Sequence, residues 1–163
     1  MKKETVKRAE VMLIGLTART ANKREFDPAT SKIGPLTTVY WGTHVADHFK
    51  HRINPGVTYA AYTDYESDEN GEYTYFIGEA VQSLEGQDLS KFTSLIIPAS
   101  RYVKFTTDTG KMPDVVINAW QAIWQMNSTD LGGKRQYLAD FEIYDQRAHA
   151  PDKAVVDIYI GIQ

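Results

Sequence analysis

Three groups of residues in this sequence have the types and spacing that chemistry could use. In HVADHFKH, His44, His48 and His51 fall at i, i+4 and i+7 with Asp47 beside them, a spacing that on a helix could present imidazoles to a metal. No HExxH-type glutamate accompanies them, and they lie opposite the apolar residues of the same segment, where a solvated face belongs. No metal site is expected.

The second group lies in RQYLADFEIYDQ, residues 135 to 146, where Glu142 stands between Phe141 and Ile143 in a strand-like run. Period-two alternation puts Asp140 and Tyr144 on its side of the strand. By pattern alone Glu142 reads as a solvent-facing residue. At the floor of an aromatic pocket it would instead be desolvated and would attract a cation, with Tyr and Trp faces adding cation–π attraction of about 0.5 to 2 kcal/mol. A buried carboxylate with a raised pKa can also act as general acid or base, with a tyrosine orienting water.

The third group is aromatic: ten Tyr, six Phe and three Trp. Most aromatics at helical spacing belong to a core. Trp120 and Trp124, four apart, share a helix on which Trp124 falls at the edge of the apolar face, and Tyr40 and Trp41 fall off the stripe of an earlier helix. Edge positions on two helices would turn these rings toward a groove between them, where a flat apolar ligand could stack.

The elements that must position these groups come in two rounds of one pattern. An apolar strand at about 10 to 20 and a polar loop from Asn22 to Lys32 lead to a helix from Pro35, with Val39, Gly42, Ala46, Phe49 and Ile53 at helical spacing and NPG at 54 to 56 as its stop. VTYAAYTDY and EYTYFIGEAV then form a hairpin across ESDENG. In the second round FTSLIIPASRYVKFTTD is a strand with a bend at Pro98, and PDVVINAWQAIWQM is a helix with Val116, Ala119, Trp120, Ile123 and Met126 on one face. QYLADFEIYD and AVVDIYIGIQ close it as a second hairpin. YFIG at 75 to 78 and IYIG at 158 to 161 occupy the same place in the two rounds.

The expected product is one α+β domain over residues 1–163, with pseudo-repeats at roughly 8–82 and 90–163. Each half's sheet is too small to bury its helix alone, so duplicated strand-helix-strand-strand units should join into a curved antiparallel sheet with two helices and a groove between them.

Composition narrows the functions. A formal charge of -3 with 18 scattered Lys and Arg residues gives no basic patch for phosphates, so direct nucleic-acid contact is not expected. No cysteine is present, which excludes thiol catalysis and cysteine-ligated zinc. The apolar run Val11 to Leu16 is too short for a membrane span, and a cytoplasmic protein is the default. No Walker loop, Rossmann glycine pattern or serine nucleophile elbow occurs, and no cofactor is expected.

SRYVKFTTDTGKMPDVVINAWQAIWQM followed by RQYLADFEIYDQRAHAPDKAVVDIYIGI resembles the GyrI-like effector-binding domain, which closes many AraC- and MerR-type bacterial regulators and also occurs free-standing. YAAYTDYESDENGEYTYFIG is similar to the hairpin of the free-standing, integron-associated effector-binding members. The resemblance covers essentially the whole chain, and its most specific parts are Phe141-Glu142-x-Tyr144 and DIYIGI.

The resemblance implies a pocket between the two halves with an acidic residue at its base for lipophilic cationic or aromatic compounds. The family's pocket glutamate falls on Glu142, its tryptophan late in the second helix on Trp124, and its following aromatic on Tyr144. Tyr40, Trp41 and Trp120 join the candidate ligand-binding set by the face argument alone. The sequence departs from regulator members in having no helix-turn-helix segment, and from many relatives in Gly161, where they carry proline. The expected function is a sensor or sequestering module for a drug or toxin, acting alone or for a regulator supplied by another chain. The alternative is a hydrolase of cyclopropane-bearing electrophilic toxins using the same pocket. Inhibition of gyrase follows from the family name alone, as fold-level analogy.

Overall fold

Period-two runs rich in Tyr, Val and Ile account for most of the eight strands, which with four helices make up a computed structural model describing all 163 residues. In chain order these are β1 (Lys2–Arg8), β2 (Val11–Ala21), α1 (Asn22–Glu25), α2 (Ile33–Gly42), β3 (Thr58–Thr63), β4 (Glu72–Ala80), β5 (Thr93–Ile97), β6 (Ser100–Thr106), α3 (Asp114–Trp124), α4 (Ser128–Leu131), β7 (Ala139–Tyr144) and β8 (Asp157–Ile162). Every pairing is antiparallel, and the strands make one sheet in the order β1-β6-β8-β7-β3-β4-β2-β5. The order is symmetric about its centre, where β7 lies against β3. The fold is the expected α+β architecture.

Connectivity forces the sheet to curl. β1 and β2 lie six strand positions apart, as do β5 and β6, which in a flat sheet is about 29 Å. Yet Ala9 and Glu10 alone join the first pair, and Pro98 and Ala99 the second, so each join spans at most about 11 Å. The two ends of the sheet must approach each other. Arg8, on edge strand β1, accordingly sits 4.7 Å from the Tyr159 ring of β8 and 3.4 Å from the Tyr59 hydroxyl of β3. The face inside the curl buries a core including Leu13, Phe76, Tyr102, Phe141 and Tyr159 with no helix over it.

The other face carries the helices. α2 covers Ile14, Ala60, Tyr75 and Ile77, and α3 covers Val103, Phe105, Ile158 and Ile160. Val116, Ala119, Trp120 and Ile123 of α3 are buried as their spacing predicts, while Asn118, Gln121 and Gln125 are exposed; burying a side chain such as Val116 or Ile123 contributes about 1.5–3 kcal/mol. Tyr62 of β3 and Tyr144 of β7 pack against both helix-side clusters. They are where the two clusters meet.

Three expectations change. The helix expected from Pro35 to Ile53 runs Ile33–Gly42 and then breaks, because His44 adopts a left-handed φ of 52° before a separate 3-10 turn at Val45–His48. Helical phase is not carried across, so Tyr40 rather than Val39 faces the core, and Val39 and Ile53 are exposed. The same break, with His51 at φ 57°, takes His44, His48 and His51 off any common helix face. The single strand expected through Pro98 is two strands, β5 and β6, in different parts of the sheet, since proline interrupts the ladder where the chain changes edges. The charged segment Lys2–Arg8 pairs with β6 along its length; its low hydrophobicity gave no strand signal.

Candidate functional site

Between α2 and α3, over the centre of the sheet, lies a cavity of about 710 Å³. Its floor is set by strand register. Glu142 on β7 is paired with Ala60 on β3, and Tyr62 with Asp140, so all four side chains point to the helix side. Tyr62 thereby takes in β3 the place that Glu142 takes in β7, and the two meet across the centre.

Glu142 is 2% exposed. Its Oε2 accepts hydrogen bonds from Tyr62 Oη at 2.7 Å and Trp120 Nε1 at 2.6 Å, and its Oε1 accepts from Tyr144 Oη at 2.5 Å. Burial raises its pKa above the usual carboxylate range, while the bonds from Tyr144, Trp120 and Tyr62 oppose the rise. Hydrogen bonds to a charged group contribute about 1.5–3 kcal/mol each, against a desolvation cost of several kcal/mol. Burial first, and then the charge of Glu142, push Tyr62, Tyr75 and Tyr144 well above the ordinary tyrosine range, so these hydroxyls remain neutral.

The other buried carboxylates differ in their partners. Four are buried: Glu79, Asp140, Glu142 and Asp157. Glu79 has Arg52 at 3.4 Å, Asp140 has Arg135 at 2.7 Å, and Asp157 has Arg147 at 2.6 Å and Lys104 at 3.8 Å. Glu142 alone has no cationic side chain in ion-pair contact. Its three partners are neutral donors, which can disperse its charge but not cancel it.

Aromatic rings wall the cavity. Trp120 lies 5.1 Å from Tyr62 and 6.4 Å from Trp124, and Tyr62 also meets Tyr73 and Tyr75 at 5.6 and 5.4 Å. Phe26, in the connection between α1 and α2, stands edge-on to Trp124 at 6.4 Å. That contact links the α1–α2 connection to α3 at the cavity lining.

The connection holding Phe26 is ordered by Glu25. α2 has no side-chain cap of its own at Lys32; Glu25 instead accepts from the backbone N–H groups of Lys32 and Ile33 at 3.0 Å each, and from Thr20 and Ser31 hydroxyls at 2.5 and 3.1 Å. It satisfies donors that a helix start leaves open. Burial works against its charge, but those four bonds outweigh burial and hold its carboxyl below the usual range.

Of the six residues singled out from the sequence, Glu142, Trp124, Tyr144, Trp120 and Trp41 line this cavity, and Tyr40 does not. Trp41 is 53% exposed, whereas Tyr40 is 1% exposed and packs edge-on against Trp41 at 5.0 Å. Adjacent helical residues point about 100° apart, so only one of the two faces the cavity. The sequence reading missed Tyr62, Tyr73 and Tyr75, which occupy one face of their strands at period two. It also missed Phe26, which carries no local signal, because its loop is placed by Glu25.

A family model described as Cass2, integron-associated effector binding protein, matches residues 4–162. YobU of Bacillus subtilis (strain 168), named as a candidate transcriptional regulator, is 30% identical over 149 residues, covering 91% of this chain and 90% of its own. An integron cassette protein from the mobile metagenome of Vibrio cholerae superposes with a TM-score of 0.78 at 27% identity, over 99% of this chain and 95% of that one. The structure of SAV2435 bound to tetraphenylphosphonium superposes with a TM-score of 0.74 at 17% identity, over 100% and 94% of the respective chains.

Proposed function

The chain belongs to the family of integron-associated effector binding proteins, and on that premise we propose that its cavity binds a hydrophobic organic cation with Glu142 as counter-ion. The observation that carries this reading is that Glu142 is buried, faces the cavity and lacks the ion-pair partner that every other buried carboxylate has. An unpaired buried charge is costly to the folded chain. A cationic ligand removes that cost when it binds, and the aromatic walls of Trp120, Trp124 and Tyr62 add stacking and cation–π attraction. A ligand without a positive charge leaves it in place.

SAV2435, whose structure holds tetraphenylphosphonium, supports the same ligand class by likeness of fold. More than half of the lining residues are hydrophobic, which suits a range of shapes. The protein then acts as sensor or sequestering module, alone or for a regulator on another chain. In the hydrolytic alternative Glu142 would have to take up and release protons during turnover. Its oxygens instead accept from three neutral donors, and each of those bonds favours the ionised form that a cation would meet.

Titration with tetraphenylphosphonium, followed by tryptophan fluorescence, tests the reading. Saturable quenching is expected in the unmodified protein, with a loss of tenfold or more in affinity, about 1.4 kcal/mol, in Glu142→Gln. Absence of saturable binding, or equal affinity in the variant, overturns it.

A further inference from the structure

Arg135 is the one arginine among the polar residues that line the same cavity. Arg135 has a side chain only 10% exposed, stacked at 4.3 Å over the Tyr137 ring. A guanidinium carries five N–H donors, and one hydrogen bond is made here, from Nη2 to Asp140 Oδ2 at 2.7 Å. Nε is buried with no partner. A buried donor left unmatched costs about 1–3 kcal/mol.

The charge of this guanidinium is already compensated. Asp140 is fully buried against it, and the Tyr137 ring beneath it donates through its hydroxyl to Glu69 at 2.5 Å. What Arg135 has left to offer is N–H groups without net positive field, which suits a neutral acceptor such as a carbonyl or ether oxygen better than an anion. Asp140 and Glu142 are two residues apart on β7, about 7 Å along the strand, and the guanidinium is held on the Asp140 carboxylate.

Resting on the cation-binding reading above, we propose that the cavity is selective for organic cations carrying a neutral hydrogen-bond acceptor about 7 Å from the charge, which Arg135 receives. Glu142 takes the positive end, the tryptophans take the rings, and Arg135 takes the oxygen. Arg135 is thereby a specificity-determining residue, and its pairing with Asp140 holds the fork in place.

The test is a matched pair of probes, hexyltriphenylphosphonium and (5-oxohexyl)triphenylphosphonium, which share rings and charge. The second carries a keto oxygen about 7 Å from phosphorus in the extended chain. Without a donor in the cavity, the ketone must bind more weakly, because its oxygen gives up water for nothing. We expect the ketone to bind roughly threefold or more tightly than the alkyl probe in the unmodified protein. That preference should disappear in Arg135→Lys, which keeps the charge beside Asp140 but removes the fork.

Equal or weaker binding of the ketone, or a preference unchanged in Arg135→Lys, overturns the proposal while leaving the cation-binding reading standing. Failure of both probes to bind overturns both. Should Arg135→Lys not fold, the carbonyl stretch of the bound ketone decides: a shift to lower frequency than in hydrocarbon solvent supports the contact, and an unshifted band overturns it.

Discussion

Asp140 and Glu142 stand two residues apart on β7, on the same face of the sheet, and both are buried. Asp140 is enclosed by its own protein: Arg135 at 2.7 Å, the Tyr65 hydroxyl at 2.6 Å and the Gly161 N–H at 2.8 Å. Glu142 is enclosed by donors of which none is charged. The strand and the face are the same, so neither local structure nor depth separates their roles. The difference lies in whether a cation is supplied from within. A carboxylate with an internal partner is a structural joint; one without it has its charge left for something that arrives.

The largest effect expected from breaking this comparison is on stability. Arg135→Ala leaves Asp140 as a buried charge without its cation, and unfolding in urea should show a loss of about 3–5 kcal/mol. Glu142→Gln should leave stability unchanged or raise it, because it removes a charge that nothing in the protein neutralises. If both variants lose stability equally, the distinction between joint and receptor site fails.

A second effect is on pH dependence. The folded-state pKa of Glu142 is raised by burial, so the folded protein holds that proton more readily than the unfolded chain. Its stability contribution is fully present below the unfolded value of about 4.3 and is lost as pH rises through the folded value. The gap in unfolding free energy between Glu142→Gln and the unmodified protein should therefore widen in favour of the variant as pH rises across that window. Cation affinity should move the other way. A proton competes with the ligand for Glu142, so tetraphenylphosphonium should bind more tightly as pH rises through the same window, and this dependence should vanish in Glu142→Gln. Fluorescence titrations across the window check the sign.

Removing one donor gives a smaller change. Tyr62→Phe deletes the 2.7 Å bond to Oε2 and should cost about 1.5–3 kcal/mol of stability at pH values where Glu142 is ionised. It should also move the Glu142 transition further upward, since the bond favours the charged form; urea unfolding as a function of pH reads both. Smallest is Trp41→Ala, at an exposed position lining the cavity. Stability should stay within about 0.5 kcal/mol, with a modest loss of affinity in the fluorescence titration.

Part of this architecture is legible in local sequence alone. The stripe Val116, Ala119, Trp120, Ile123 on α3 and the two hairpins follow from periods of 3.6 and 2, which depend only on neighbouring residues. The end of α2 is not legible in this way, because it depends on His44 adopting a left-handed backbone, which the spacing of apolar residues does not reveal. β1 was invisible for a related reason: Lys2–Arg8 carries four basic residues and one acid, and such a strand exists only because β6 offers it an edge.

The candidate site divides along the same line. The sequence determined that Glu142 would lie on a strand among aromatics, that Trp120 and Trp124 would share a helix, and that Tyr144 would point the same way as Glu142, because each statement concerns residues a few positions apart. That Glu142 is buried, that Tyr62 from 80 positions away and Trp120 from 22 both donate to one of its oxygens, and that no Arg or Lys reaches it, the tertiary structure alone decided. Burial and pairing depend on which strands become neighbours and what the helices lay over them. A charge is compensated or left open by the whole fold at once.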